Sequence, residues 1–352
     1  METETSMDDQ SLILYSIISA DDYQYQLRMK VARVIGKSLI PFMVSIVLFL
    51  TACGDSTTDQ HIDENSSEAV NEQQQITTIE HLKGDMTFEE VPEDIVVLDV
   101  QFLDHLLALD KQPVGTVYAS TDQALPEYLE DLPGDPTLLG TYEEPNVEQI
   151  LSLTPDLIIA TDAHEGIQDQ LESIAPTLVF DRMEDWKTIQ LKMGDILGKR
   201  DQAESIVADY NEKVDALREE LSETMSEETV ALIRPRDDMI RLHTTDHRTS
   251  EILYNDLGLK APELAEDQAD TSSMISIEIV PDLNADHFFL LQDATNAELT
   301  KEFKETSIWQ GLKPVKEGQV YEKDTALWVG YYSPLALNIV VDQVAEELLE
   351  AE

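Results

Sequence analysis

The stretch VALIRPRDDMIRLHTTDH carries Arg234, Arg236 and Arg241, with His243 and His247 close behind. A guanidinium donates two parallel hydrogen bonds to a carboxylate, and an imidazole donates or accepts at each ring nitrogen. Such a group suits the capture of an anion. It stands out because the chain is otherwise acidic, with 72 Asp plus Glu against 23 Lys plus Arg and a formal net charge of -49 over 352 residues. That balance argues against a nucleic-acid partner and against broad adhesion to anionic lipid, because both would be repelled. An anionic ligand would need a local nest of cations inside a negative protein. Arg182 and His164 follow apolar runs ending at Phe180 and Thr161, so they stand at the carboxyl ends of strands, where open α/β lobes collect ligands. Surface solubility for each arginine, and a structural place for each histidine, remain open alternatives.

Other chemistries find less support. His243 and His247 are four apart, but TTD between them and the strand context do not make a zinc helix. The single Cys excludes an intramolecular disulfide and a cysteine-rich metal site. No G-x-S-x-G, H-E-x-x-H, G-x-x-x-x-G-K-[ST] or strand-following G-x-G-x-x-G occurs. An enzyme is therefore not expected, and no cofactor is implied.

The elements that must position these side chains are legible as alternating short runs. Strands are expected over 94–100, 114–118, 157–161 and 177–180, with helices over 102–109, 146–153 and 166–174 between them, which describes an α/β lobe with a mostly parallel sheet. From Trp186 to Leu221 apolar residues recur in steps of three and four without a proline, predicting one long helix that Gly194 and Gly198 weaken or bend. Alternation then resumes, with strands over 230–233, 240–243, 287–291 and 320–322, helices over 250–257, 277–283 and 299–303, and a closing helix over 335–349. The expected organisation is lobe, rod, lobe, with boundaries at 76–184, 185–222 and 223–352.

One passage is written twice. NVEQILSLTPDLIIA, from Asn146, aligns without a gap with SIEIVPDLNADHFFL, from Ser276, and places Glu148 on Glu278, Leu153 on Leu283 and Asp156 on Asp286. Asn and Ser are good helix N-caps and a glutamate two residues on faces the helix dipole favourably, so each glutamate is explicable as a helix-start residue. The duplication by itself says that the two lobes are related.

The start of the chain reads as an address. From Met29, Lys30, Arg33 and Lys37 precede an apolar run over 39–50 that ends Leu50-Thr51-Ala52-Cys53-Gly54. The run is short for a transmembrane helix and is flanked as a signal peptide is. Leu-x-Ala-Cys at its end resembles a bacterial lipobox, which implies that the thiol of Cys53 carries diacylglycerol and becomes the new N-terminus. Residues 1–28 are acidic where a signal is basic, and translation is expected to begin at Met29. Residues 53–75 are polar and acidic and read as a disordered tether.

PNVEQILSLTPDLIIA, HEGIQDQLESIAPTLVF and SIWQGLKPVKEGQVYEKD together resemble the iron–siderophore substrate-binding lipoproteins of Gram-positive ABC importers, and the likeness runs in order from about Val91 to the C-terminus. The resemblance implies a class III architecture: two related doubly wound α/β lobes joined by one long rigid helix, with an iron(III)–siderophore complex held in the cleft. It implies that Glu148 and Glu278 dock to arginines of a two-subunit permease that works with an ATPase. It also implies a monomer, lipid-anchored on the outer face of a cell membrane. Iron arrives wrapped by its chelator, so no direct metal ligand is expected, and the implied ligand residues are Arg182, His164, Arg234, Arg236, Arg241, His243, Trp328, Tyr331 and Tyr332. Two departures stand out. TDAHE lacks an arginine that relatives often place before the histidine. LWVGYYSPLALN has Gly330, Tyr331 and Tyr332 where several relatives carry arginines, which puts a carboxylate siderophore in question and leaves catecholates and hydroxamates, which tyrosine can stack on or hydrogen-bond. Haem or cobalamin on the same fold stays open. A zinc binder is the weaker rival, since only seven His occur and His61 and His81 precede the core.

Overall fold

The structure, a computed structural model, describes residues 76–118, 125–130, 134–266 and 270–349. The Met29 start, the signal over 29–52, Cys53 and the tether over 53–75 lie outside the described residues.

Strands that read as unbroken apolar runs are buried along their whole length. Ile95–Val97 (β3) and Leu157–Thr161 (β6) have no exposed position, as parallel strands covered on both faces require. They form the middle of a five-stranded sheet of order β5-β4-β3-β6-β7, with β4 at Gly115–Tyr118, β5 at Thr137–Thr141 and β7 at Thr177–Phe180. All its pairings are parallel. A second sheet has the matching order β10-β9-β8-β11-β12, built from Val230–Arg236 (β8), Met239–His243 (β9), Ser272–Ile275 (β10), His287–Gln292 (β11) and Val320–Asp324 (β12). Here the expected parallel pattern is corrected. β8 and β9 are antiparallel, joined by a two-residue turn in which Asp237 and Asp238 have φ of 52° and 57°, the backbone of a type I′ hairpin; β9 and β10 are also antiparallel. A hairpin of Thr77–His81 (β1) and Gly84–Phe88 (β2) precedes the first sheet.

Five helices carry the rest of the argument: α1 (Val100–Ala108), α2 (Val147–Leu153), α3 (Trp186–Ile196), α4 (Arg200–Thr224) and α5 (Pro334–Leu349). The single rod is corrected to two helices. Asp185 caps α3 by accepting from Thr188 N at 2.9 Å. Its end is a Schellman closure in which Lys199 N–H bonds Gly194 O at 2.7 Å and Gly198 N–H bonds Asp195 O at 3.3 Å, with Gly198 at φ 62°. The chain restarts as α4, whose 25 residues span about 38 Å at about 1.5 Å each. Burial explains the rod's division of labour: Ile189, Met193, Ile196 and Ala203 belong to the first sheet's core, while Tyr210, Val214 and Leu221 belong to the second's.

A second tie joins the halves. Ala336 packs with the first core and Leu337, Val340 and Val344 with the second. The N-terminus of α5 is capped from across the junction, where the Asp104 carboxylate of α1 accepts from Leu335 N at 2.9 Å and Ala336 N at 3.0 Å. Among the described residues no helix is long and apolar enough to cross a membrane.

Candidate ligand site

Strand alternation decides where the arginines point. In β8, Ala231 and Ile233 enter the core of Phe288 and Trp309, while Val230 and Leu232 face the core of Tyr210 and Trp328. Arg234 and Arg236 continue the second face at the carboxyl end of the strand. Register places Arg241 opposite Arg234, and His243 lies two residues further along β9. The hairpin therefore gathers Arg234, Arg236, Arg241 and His243 on one face of the second sheet. Arg234 Nη2 donates to Asp293 Oδ2 at 2.8 Å and to Thr295 Oγ1 at 3.3 Å. Burial pushes the Asp293 carboxyl up, but Arg234 and hydrogen bonds from Thr295 and Thr325 outweigh it and hold the group below its ordinary range. Arg236 Nε lies 3.4 Å from Asp237 Oδ2.

His243 is 1% exposed, and neither ring nitrogen has a hydrogen-bond partner among the described residues. Its ring meets His247 edge-on at 4.3 Å. Burial, then His247, Arg241 and Arg234, push the His243 imidazole well below its ordinary pKa. Burial, Arg241 and Arg248 push His247 down to about 3. Both rings are therefore neutral at pH 7. His247 Nδ1 accepts from Thr249 N at 3.2 Å and so starts the helical turn Arg248–Ser250.

That turn presents Arg248, which the sequence reading did not single out. Its guanidinium sits 3.8 Å over the Tyr332 ring, and Nη1 donates at 3.0 Å to the carbonyl of Arg182 in the other half. Burial lowers its pKa, Tyr332 raises it and Arg182 lowers it again. On the first half, Arg182 Nε lies 2.7 Å from Asp99 Oδ2, its guanidinium stands 5.1 Å over Tyr142, and Nη2 reaches Gly330 O at 3.4 Å. Asp99 caps α1 by accepting from Gln101 N. Gln101 in turn donates to Arg182 O at 3.2 Å and accepts from Tyr332 N at 3.2 Å. The structure thus brings Arg182, Arg248 and the β8–β9 cluster to one junction between the halves.

Three expectations are corrected. His164 does not offer a free nitrogen: Nδ1 accepts from Thr161 N at 3.1 Å, and Nε2–H donates to Tyr142 O at 2.8 Å. It acts on the site through Tyr142, whose ring it touches edge-on and on which Arg182 rests. Trp328 does not line the cleft. It is fully buried against Phe289, 4.7 Å away, and Nε1 donates to Gln343 Oε1 at 2.7 Å. Tyr331 and Tyr332 are buried as well. Tyr331 packs against Tyr128 at 6.1 Å, and Tyr332 spends its face on Arg248 and its hydroxyl on Thr249 at 3.1 Å. They brace the junction instead of waiting for an aromatic ligand. Arg248 and Tyr142 had a weak signal in the sequence: HRTS follows RLHTTD directly, and TY opens the loop before the repeat.

The repeat is a structural module. Asn146 Oδ1 accepts from Gln149 N at 3.1 Å at the start of α2, and Ser276 precedes the 3₁₀ turn Ile277–Leu283. Each helical segment ends in a left-handed residue, Thr154 at φ 48° and Asn284 at φ 46°. Each then places an aspartate on the start of the neighbouring central strand: Asp156 accepts from Glu93 N and Asp94 N, and Asp286 accepts from Thr229 N. Those bonds account for the shared aspartates but not for Glu148 and Glu278, of which Glu278 is held below its ordinary range by hydrogen bonds from its own backbone N–H and from Ser276. Both are exposed, and exposed apolar residues stand beside them, Leu151 at 58% and Ile279 at 38%. Among the described residues no group of three or more His, Cys, Asp or Glu is placed to hold a metal ion.

A family model described as "Periplasmic binding protein" matches residues 95–327. The chain is 31% identical over 331 residues to the "Probable siderophore-binding lipoprotein YfiY" of Bacillus subtilis, covering 90% of this chain and 98% of that protein. It is 29% identical over 310 residues to the "Fe(3+)-citrate-binding protein YfmC" of the same organism, covering 85% of this chain and 93% of that one. Among solved structures it resembles Staphylococcus aureus SirA complexed with staphyloferrin B, with a TM-score of 0.65 and 29% identity over 77% of this chain and 98% of that chain.

Proposed function

The chain belongs to the periplasmic binding protein family, and from that premise we propose that it is the extracytoplasmic substrate-binding component of an ABC importer, capturing an iron(III)–siderophore complex between its lobes. The observation that carries this reading is the gathering of Arg182, Arg234, Arg241 and Arg248 with His243 at one inter-lobe junction, in a chain whose net charge is -49. A bulky chelate with peripheral oxygens meets such donors at full coordination of its iron, so the protein needs no ligand of its own to the metal. Its role is capture and delivery, not catalysis. Arg182, Arg234, Arg236, Arg241 and His243 contact the ligand, while His164, Tyr331 and Tyr332 position those that do. Cys53 carries the lipid that keeps the protein at the membrane, and Glu148 and Glu278 meet the two permease subunits.

Tryptophan fluorescence provides the test. Trp328 O accepts from Thr249 at 2.5 Å, one residue from Arg248, so occupancy of the junction reaches an indole. Titration with ferric siderophores, haem, cobalamin and zinc should give a saturable response to a ferric siderophore. Saturation by zinc alone, or by haem or cobalamin with no response to any ferric chelate, would overturn the reading.

A further inference from the structure

Two stretches of helix tie the lobes together, and they are fastened differently. The bend between α3 and α4 is closed by backbone bonds from Gly198 and Lys199, which no proton changes. The other tie is α5, which starts in the first core at Ala336 and continues in the second from Leu337. A helix start leaves N–H groups that need acceptors, and the first turn of α5 brings no acidic residue of its own. Asp104 of α1 supplies the carboxylate from the first lobe, with Oδ1 accepting from Leu335 N and Oδ2 from Ala336 N. Tyr128 donates a third bond to Oδ2 at 3.1 Å. The carboxylate is fully buried, and all three donors are neutral.

Such a carboxylate can trade its charge for a proton, because burial disfavours the ion and no cation is among those donors. Burial pushes the Asp104 carboxyl up to about 6, and the bonds from Leu335 and Ala336 pull it back only part of the way. The groups packed around it do not compete. Tyr128 and Tyr331 are raised by burial and stay neutral. His105 turns to Gln190 of α3, 2.6 Å away, and burial pushes it down to about 4. On α3, Lys187 is spent on Asn211, Lys192 on Glu184 and Asp195 on Arg200. β3 has no titratable side chain and β4 only Tyr118. On α5 the first charged residue, Asp342, pairs with Lys213.

We propose that Asp104 is a proton-sensitive pin between the lobes: ionised, it holds the start of α5 in the first lobe, and protonated, it lets that end go. A protonated oxygen presents a hydrogen where an N–H already points, and the attraction between the carboxylate and the helix dipole is lost. Gln101, one turn earlier on α1, accepts from Tyr332 N at 3.2 Å and cannot titrate. It keeps the segment attached, so the lobes pivot there instead of separating. The width of the cleft then answers to acidity, whatever ligand it holds.

The amide resonances of Leu335 and Ala336 provide the test, followed from pH 8 to 5 in the full chain labelled with 15N-leucine and 15N-alanine. Small-angle scattering is recorded on the same samples. Both amide protons should move upfield together with a midpoint near 6, as their acceptor loses its charge. The radius of gyration should rise over the same range while the near-UV circular dichroism stays constant. In Asp104→Asn both amides should stop titrating, and the radius at pH 8 should already match the parent's acid value. Tyr128→Phe removes a donor to the charged form and should raise the midpoint, which keeps the proposal open to refutation if Asp104→Asn does not fold. Amide shifts that stay constant in the parent would show that Asp104 takes up no proton. Titrating amides with a constant radius would leave Asp104 as a helix cap and end its role between the lobes. A radius that still rises with acid in Asp104→Asn would assign the motion to other groups and overturn the proposal as well.

Discussion

Asp104 and His105 are neighbours on α1, both fully buried, and burial moves them in opposite directions. Burial pushes the Asp104 carboxyl from 3.8 up to about 6, although bonds from Leu335, Ser333, Ala336 and Tyr128 pull it back. Burial pushes the His105 imidazole from 6.5 down to about 4, against a bond to Gln190. The folded protein binds more protons than the unfolded chain at Asp104 between pH 4 and 6, so that residue adds stability as pH falls through the window. At His105 the unfolded chain binds more, so stability is lost as pH falls from 6.5 towards 4. His247, down to about 3, and His243 act in the same direction as His105. His81 and His164 are lowered too, so five histidines oppose the four raised carboxyls of Asp104, Glu251, Asp256 and Asp324, and the protein should lose stability on acidification below pH 6.5. Asp104→Asn should make that loss steeper, by up to about 3 kcal/mol for a shift of about two units. Urea midpoints at pH 6.5, 5.5 and 4.5 for both proteins check it; parallel curves would show that Asp104 ionises normally. None of this was legible in the sequence, where LDHLL reads only as an amphipathic helix. The same holds for His164 and Trp328, whose residue types suited a ligand and whose burial shows them otherwise engaged.

At the scale of elements, the break between α3 and α4 shows why a helical periodicity does not guarantee one helix. The apolar steps from Trp186 to Leu221 continue across Leu197, Gly198 and Lys199, because Ile189 to Ala203 bury one face in the first core and Tyr210 to Leu221 bury one in the second. The glycines carry the information that periodicity hides. Gly198 sits at φ 62°, where a side chain costs about 1 kcal/mol. Gly194 lies where α3 and α4 touch, and a Cβ there would stand 2.5 Å from Ala203 Cβ. Gly198→Ala should therefore cost about 1 kcal/mol, and Gly194→Ala should cost more, about 1–3 kcal/mol, because packed helices must part. Equal losses in chemical denaturation would show that the close approach is not what fixes the angle. The β8–β9 hairpin was hidden in a similar way. Asp-Asp is a weaker hairpin signal than Asn-Gly, so IRPRDDMIRL reads as two strands without stating that they pair directly. Asp238→Gly should stabilise the hairpin by about 0.5–1 kcal/mol, since glycine takes φ 57° without strain. The central strands, in contrast, were legible because a strand buried on both faces has no other way to be written.

For the whole molecule, the matching strand orders of the two sheets place the repeat at equivalent positions, in each case just before the strand that flanks the centre. Leu153 and Leu283 turn inward in both copies, and Asp156 and Asp286 fasten both to the neighbouring strand. Once those roles are assigned, Glu148 and Glu278 are what the module leaves over: exposed carboxylates that hold neither the core nor the neighbouring strand, each beside an exposed aliphatic side chain. Related lobes offering the same group fit a partner built of two similar subunits, each presenting a cation. An exposed glutamate at a helix start contributes only about 0.3–1 kcal/mol to its own helix, so reversing its charge should leave the fold intact. Glu148→Lys and Glu278→Lys should each reduce iron uptake by cells, and the double variant should reduce it about tenfold or more, because like charges would then face each other across the contact. Affinity of the purified double variant for its ferric chelate should stay within twofold of the parent, since neither residue belongs to the inter-lobe junction. Radiolabelled iron uptake measured beside chelate titration separates the two effects. Normal uptake by the double variant would remove the docking role, and a fall in chelate affinity matching the fall in uptake would assign the glutamates to the capture step.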